Sequence, residues 1–205
     1  METIESRAIE YGVASFTLPS QAESGDRHVL CSHTNGVLVA ALDGLGHGDE
    51  AATAAKIASS ILEANPTEPV ISLLRLCHEG LRSTRGVVMS LASLDIAHGL
   101  MTWLGVGNVF AVLCRLKSPL NFGQEALLLR SGVVGSRLPS LQASVLPIGP
   151  GDTLVFATDG VKQDFAEHCT PHESPQKLAE TILARYQRGN DDALVLVARC
   201  AGSRA

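Results

Sequence analysis

Short apolar runs that carry an aspartate at one end recur three times in this chain, and they restrict its fold more than any other feature of the sequence. Residues 37–42 (VLVAAL) run into Asp43-Gly44, residues 154–158 (LVFAT) run into Asp159-Gly160, and residues 193–197 (ALVLV) run out of Asp191-Asp192. Runs of this length, closed by Gly and Asp, read as buried strands and not as helices. If the third strand is antiparallel to the other two, its start shares a rim with their ends and the carboxylates converge. Asp26 is a fourth candidate. It stands before the run 28–34, and Asn35-Gly36 between that run and residues 36–43 is a strong hairpin signal. The hairpin brings the start of one run beside the end of the next.

Carboxylates gathered in one place repel each other unless a cation neutralises them, and an all-oxygen donor set selects Mg²⁺ or Mn²⁺ over zinc. A single Asp-Gly pair is ordinary turn chemistry at a strand end. The coincidence of several at one rim is what points to a site for two metal ions. Glycine after two of the acids also lets a backbone carbonyl approach the same metal.

The remaining patterns fit around these strands. Residues 8–18 alternate as a strand that Pro19 ends, and a helix runs from Asp49 to near Ala64 with Ala54, Ile57, Ala58, Ile61 and Leu62 at helical spacing. A second helix starts near Pro69, with Val70, Leu73, Leu74, Cys77 and Leu81 as its apolar stripe. Residues 87–94, 100–104, 109–116 and 126–129 read as a meander of short strands, and 131–146 as irregular. Residues 152–158 and 193–200 are further strands, and Ser174-Pro175 opens a helix faced by Leu178, Ala179, Ile182, Leu183 and Tyr186. No repeat or shift of composition divides the chain, so one domain over residues 1–205 is expected, of α+β class with two mainly antiparallel sheets and helices outside.

Composition removes other classes. With 16 Lys+Arg against 21 Asp+Glu the formal net charge is -5, and no basic block suggests nucleic acid as a partner. No apolar run approaches the roughly 20 residues that span a bilayer, and Glu2 and Glu5 stand where a secretory signal would carry bases. The five cysteines are odd in number, scattered and free of CxxC pairs, which fits neither a disulfide framework nor a structural zinc site. A reducing cytoplasm is the expected compartment.

In combination, Ser24-Gly25-Asp26, Asp43-Gly44-Leu45-Gly46-His47-Gly48, Gly105-Val106-Gly107-Asn108, Pro150-Gly151-Asp152 leading to Thr158-Asp159-Gly160, and Asn190-Asp191-Asp192-Ala193 resemble the PPM family of metal-dependent protein serine/threonine phosphatases, in its bacterial SpoIIE-like branch. The length, the Asp-Gly-Leu-Gly-His-Gly form and residues 131–139 are most similar to RsbX-type feedback phosphatases of the stressosome. The resemblance implies a four-layer αββα sandwich with two Mn²⁺ or Mg²⁺ ions at one edge of the central sheets. It implies that Asp43 bridges both ions, that the Gly44 carbonyl and Asp159 bind one, that Asp191 binds the other, and that Asp26 acts directly or through water. The implied reaction is hydrolysis of phosphoserine or phosphothreonine by a metal-activated water, in line and without a phosphoenzyme. The implied substrates are phosphorylated STAS-domain proteins of the stressosome, met by a monomer that binds neither nucleic acid nor membrane. His47, beside the metal loop, is the candidate acid for the leaving oxygen, although a loop histidine is more often a surface or hydrogen-bonding residue.

The chain departs from the family pattern in three ways. It has Gly107-Asn108-Val109 where many relatives have Gly-Asp-Ser, it has no clear equivalent of the phosphate-gripping N-terminal arginine of eukaryotic relatives, Arg27 being only adjacent to Asp26, and it has little sequence for a flap beside the site. Two other readings stand beside the phosphatase: a catalytically weak phosphoprotein-binding module of the same fold, and a metal-dependent hydrolase of small phosphate esters. A dinucleotide site at Gly44-Leu45-Gly46-His47-Gly48 is disfavoured, because the spacing is GxGxG and no parallel βαβ units follow.

Overall fold

The computed structural model describes residues 9–19, 21–34, 36–116, 123–169 and 172–201. One sheet has the order β1-β11-β10-β6-β7, built from β1 (Ile9–Phe16), β6 (Phe110–Cys114), β7 (Gln124–Ala126), β10 (Thr153–Ala157) and β11 (Ala193–Cys200). The other has the order β2-β3-β4-β5-β8, from β2 (Asp26–His33), β3 (Gly36–Gly44), β4 (Val87–Asp95), β5 (Leu100–Val106) and β8 (Leu129–Arg130), with β9 (Ser144–Pro147) also paired to β5. All pairings are antiparallel except β5 with β8.

The sheets face each other, and helices cover their outer faces. Between the sheets lie Val37, Val39, Ala41, Trp103, Phe156 and Leu196. Leu38, Ala40 and Leu42 alternate with the first three along β3 and turn the other way, onto α1 (Asp49–Ala64) and α2 (Val70–Gly80). This strand is therefore covered on both faces, which is why its sequence is continuously apolar and not alternating. On the far side Val155 and Val195 pack under Leu178 and Ile182 of α3 (Pro175–Tyr186) and under Phe165. These layers are the αββα arrangement that the resemblance implies.

Local chemistry sets the helix positions. Ser174 caps α3 by accepting the N–H of Lys177 at 3.3 Å, with Pro175 in the first turn. Alanines 51, 54, 55 and 58 form the inner face of α1, so it packs close to the sheet. The approach is closest at Gly44, where a Cβ would lie 2.1 Å from the Ala51 carbonyl oxygen. Gln176 turns back from α3 to the edge strand β1, accepting from the Val13 N–H and donating to the Val13 carbonyl, each at 3.0 Å. That contact covers backbone groups that an edge would otherwise present for strand addition.

Most expected elements form, with three corrections. The hairpin joins β2 and β3 as expected, Asn35 itself lying outside the described residues. The expected meander is not one sheet: after β5 the chain crosses to the other sheet as β6, and the run read as 126–129 divides into β7 and β8 on different sheets. Apolar alternation reports that a strand is half buried and says nothing of which sheet covers it. Residues 144–146, within the stretch read as irregular, form β9 together with Pro147, and residues 163–168 form a 3-10 helix.

The third correction concerns cysteine. Cys114 on β6 and Cys169 after the 3-10 helix are joined as a disulfide, while Cys31, Cys77 and Cys200 are free. The pair escaped a reading based on spacing because the partners are 55 residues apart, Cys114 in an apolar strand and Cys169 in a polar segment. Alkylation of the denatured protein is expected to label three cysteines before reduction and five after it. Five labelled before reduction would show that the bond is not formed in solution. Among the described residues no helix is long and apolar enough to cross a membrane.

Candidate metal centre

Four of the acids come to one rim by the route that strand direction requires. The antiparallel register of β2 and β3 sets Asp26 directly opposite Asp43. Asp159 follows the end of β10, and Asp191 and Asp192 precede β11, which is antiparallel to β10. A cleft of about 1130 Å³ opens there, and Asp43, Asp159, Asp191 and His47 all line it. Asp159, Asp191 and His47 are exposed, Asp43 is half-buried and Gly44 is buried. Asp26 is buried and lies behind this wall. Its carboxylate accepts a 2.7 Å hydrogen bond from the Thr158 hydroxyl, which in turn accepts from the Leu194 N–H at 2.8 Å.

Electrostatics mark this wall as short of positive charge. Burial, followed by repulsion from Asp26, Asp159, Asp191 and Asp192, pushes the Asp43 carboxyl up to about 9. Burial also raises Asp26, to about 7, against the opposing hydrogen bond of Thr158 and with further repulsion from the neighbouring acids. Asp159 is raised by burial and by Asp191, while its hydrogen bond from Asn108 and the charge of Arg188 act the other way. None of Asp26, Asp43, Asp159 or Asp191 forms an ion pair with Lys or Arg among the described residues. Buried or clustered carboxylates without a cation are unstable as anions, so the donor set fits a hard divalent ion. Among the described residues no three candidate side chains already stand close enough to enclose one ion.

Other residues, not singled out as site residues from sequence, shape the cleft. Asp192, which reads as a solvated turn residue, is buried. Its two oxygens accept the N–H groups of Leu18 at 2.9 Å and Gly25 at 2.8 Å, fastening the segment that delivers Asp26. Gln21 accepts the Gly48 N–H at 3.2 Å and ties the same segment to the loop that holds His47. Asn108 donates to Asp159 Oδ2 at 2.7 Å. Arg188 is held near the site by its own N–H, which donates to the Gly160 carbonyl at 2.8 Å.

Two facing, mainly antiparallel sheets between helices, with acids from both sheets on one cleft, are the arrangement that the resemblance to metal-dependent protein phosphatases implies. A family model described as Stage II sporulation protein E (SpoIIE) matches residues 33–201. The chain belongs to this family. Among individual proteins it is 22% identical over 169 residues to the phosphoserine phosphatase RsbX of Bacillus subtilis (strain 168), spanning 82% of this chain and 83% of that one. Among solved structures, RsbX in complex with magnesium superposes with a TM-score of 0.84 at 19% identity over 98% of each chain. A structure from work on the bacterial stressosome as a modular system controlling secondary messenger signalling gives 0.85 at 29% identity, over 93% of this chain and 99% of the other.

Proposed function

We propose that this phosphatase removes phosphate from phosphoserine or phosphothreonine on STAS-domain proteins of a bacterial stressosome, in the cytoplasm, using Mg²⁺ or Mn²⁺. The observation that carries the metal reading is the set of carboxylates on one cleft, from both sheets, without an ion-pair partner among the described residues. Likeness to RsbX and to the stressosome structure supports the substrate class.

In this reading Asp43, the Gly44 carbonyl, Asp159 and Asp191 hold two ions, and Asp26 supports Asp43 from behind. Bound there, divalent cations would neutralise the phosphoryl oxygens and acidify a water at neutral pH. The chain supplies the orientation. Thr158 fixes the Asp26 carboxylate, Asp192 holds the N–H groups of Leu18 and Gly25, and Asn108 fixes Asp159. His47 stands exposed on the cleft wall, where it can give a proton to the departing serine or threonine oxygen. Arg188 brings a positive charge to the Asp159 side of the cleft, where it can attract a phosphoryl group.

The test is release of phosphate from a phosphoserine or phosphothreonine STAS-domain protein, with Mn²⁺ or with EDTA, beside p-nitrophenyl phosphate. Metal-dependent release that favours the phosphoprotein is expected. Preference for the small ester would make this a small-ester hydrolase, and tight phosphoprotein binding without release would make it a binding module.

A further inference from the structure

We infer that Arg85 is a specificity-determining residue at the edge of the cleft, where its guanidinium receives an acidic side chain next to the phosphorylated serine or threonine of the substrate protein. The inference rests on the phosphatase reading given above and deepens it.

The cleft has room for more than a phosphoryl group. At about 1130 Å³ it exceeds the roughly 300–1,000 Å³ of a small-molecule pocket, and beside the acids its wall carries the apolar Leu18, Leu45 and Val133. The polypeptide next to a phosphorylated residue can therefore enter with it.

Arg85 stands beside this wall, on a turn between α2 and β4 that holds its backbone and leaves its side chain in solvent. Thr84 donates its hydroxyl to the Leu81 carbonyl at 2.8 Å and accepts the Gly86 N–H at 3.0 Å. Gly86 has a φ of +82°, and its carbonyl accepts the Leu45 N–H at 3.0 Å. Val87 and Val134 exchange two backbone bonds of 2.9 Å. From this clamped turn the guanidinium reaches the loop that lines the cleft, where a Cβ on Gly46 would lie 2.6 Å from Arg85 Nη1.

The partner that Arg85 has in the free chain shows what it can take. Its Nε pairs with the Glu50 carboxylate, and the two side chains are 55% and 68% exposed. An ion pair this exposed contributes little to folding, so one carboxylate exchanges readily for another. Nη1 and Nη2 carry no ion pair among the described residues. The guanidinium fork matches a carboxylate held through two nitrogens. Arg188, which precedes β11 in the other sheet, is the cation whose charge acts on Asp159. The phosphoryl group thus has its own cation, and Arg85 is left for the residue beside it.

The experiment measures phosphate release, in Mn²⁺, from three short phosphoserine peptides that are alike except for Asp, Ala or Lys at both positions next to the phosphoserine. The unaltered chain is compared with Arg85→Gln and Arg85→Glu, each checked for fold by circular dichroism. The unaltered chain is expected to favour the Asp peptide over the Ala peptide by about fivefold in kcat/KM, expressed in KM. Arg85→Gln is expected to erase that preference, and Arg85→Glu to move it to the Lys peptide. Transfer of the preference by charge reversal is a result that general damage to the site does not produce. A preference for Asp that survives in either folded variant, or its absence from the unaltered chain, overturns the inference. Release from none of the peptides by the unaltered chain also overturns it, and release from the phosphorylated STAS-domain protein then shows whether the phosphatase reading falls with it.

Discussion

Asp43→Asn is expected to lower phosphate release from a phosphoserine protein by at least about a thousandfold, roughly 4 kcal/mol of transition-state stabilisation. The same substitution is expected to raise the melting temperature of the cation-free protein. Both effects have one origin. Asp43 is the half-buried acid facing Asp26 across the β2–β3 register, and its carboxyl is pushed up to about 9 by burial and by the surrounding acids. An amide keeps the shape and is neutral in the folded and the unfolded chain alike, so folding no longer has to protonate a carboxylate or bury its charge at this position. The same amide removes the anion best placed to be shared between two ions. Asp159→Asn should lose activity in the same way, because it also stands on the cleft wall. Rate assays under saturating Mn²⁺ and melting in EDTA read the two effects separately. Full activity in either variant would remove these acids from the site.

The second large effect concerns stability, pH and cations together. In the folded chain the Asp26 and Asp43 carboxyls are raised to about 7 and about 9 from the ordinary value of 3.8. The folded state therefore holds protons that the unfolded chain has released. Cation-free stability must then fall as pH rises from about 4 through about 9, and it levels once both groups are ionised in both states. A divalent ion needs the ionised carboxylates, so its stabilisation grows over the same interval. At a free Mn²⁺ concentration a hundred times the dissociation constant the gain is about 2.7 kcal/mol. For a domain of this size that corresponds to roughly 5–10 °C. Melting at pH 6 and pH 8.5, with EDTA or Mn²⁺, should show the EDTA value dropping with pH and the Mn²⁺ increment widening. A melting temperature indifferent to Mn²⁺ at pH 8.5 contradicts a metal centre built from these acids.

The parts of this site legible in the sequence are those written in local chemistry. Asn35-Gly36 dictates a hairpin, and the hairpin dictates that Asp26 opposes Asp43, a pairing the register carries out. Continuous apolarity along β3 signals a strand covered on both faces. What could not be read depends on contacts between distant segments. The division of residues 124–130 between two sheets leaves no trace in their alternation, and neither does the choice of Cys169 as the partner of Cys114. Asp192 looks like its neighbour Asp191 until the fold leaves one exposed and buries the other against the N–H groups of Leu18 and Gly25. Asn108 stands out in the sequence only as a departure from Gly-Asp-Ser, and only the fold brings it to Asp159.

The order of strands in the first sheet bears on how the enzyme comes into being. β11 lies between β1 and β10, so β1 has no partner in its own sheet until β11, which follows every other strand of that sheet in sequence, has been made. A nascent chain therefore carries β1 unpaired while β6, β7 and β10 are synthesised, the situation in which chaperones are most needed. Asp191, at the threshold of β11, arrives with that insertion. Chains that stop short of Asp191 should therefore be silent towards the phosphorylated signals that the enzyme erases.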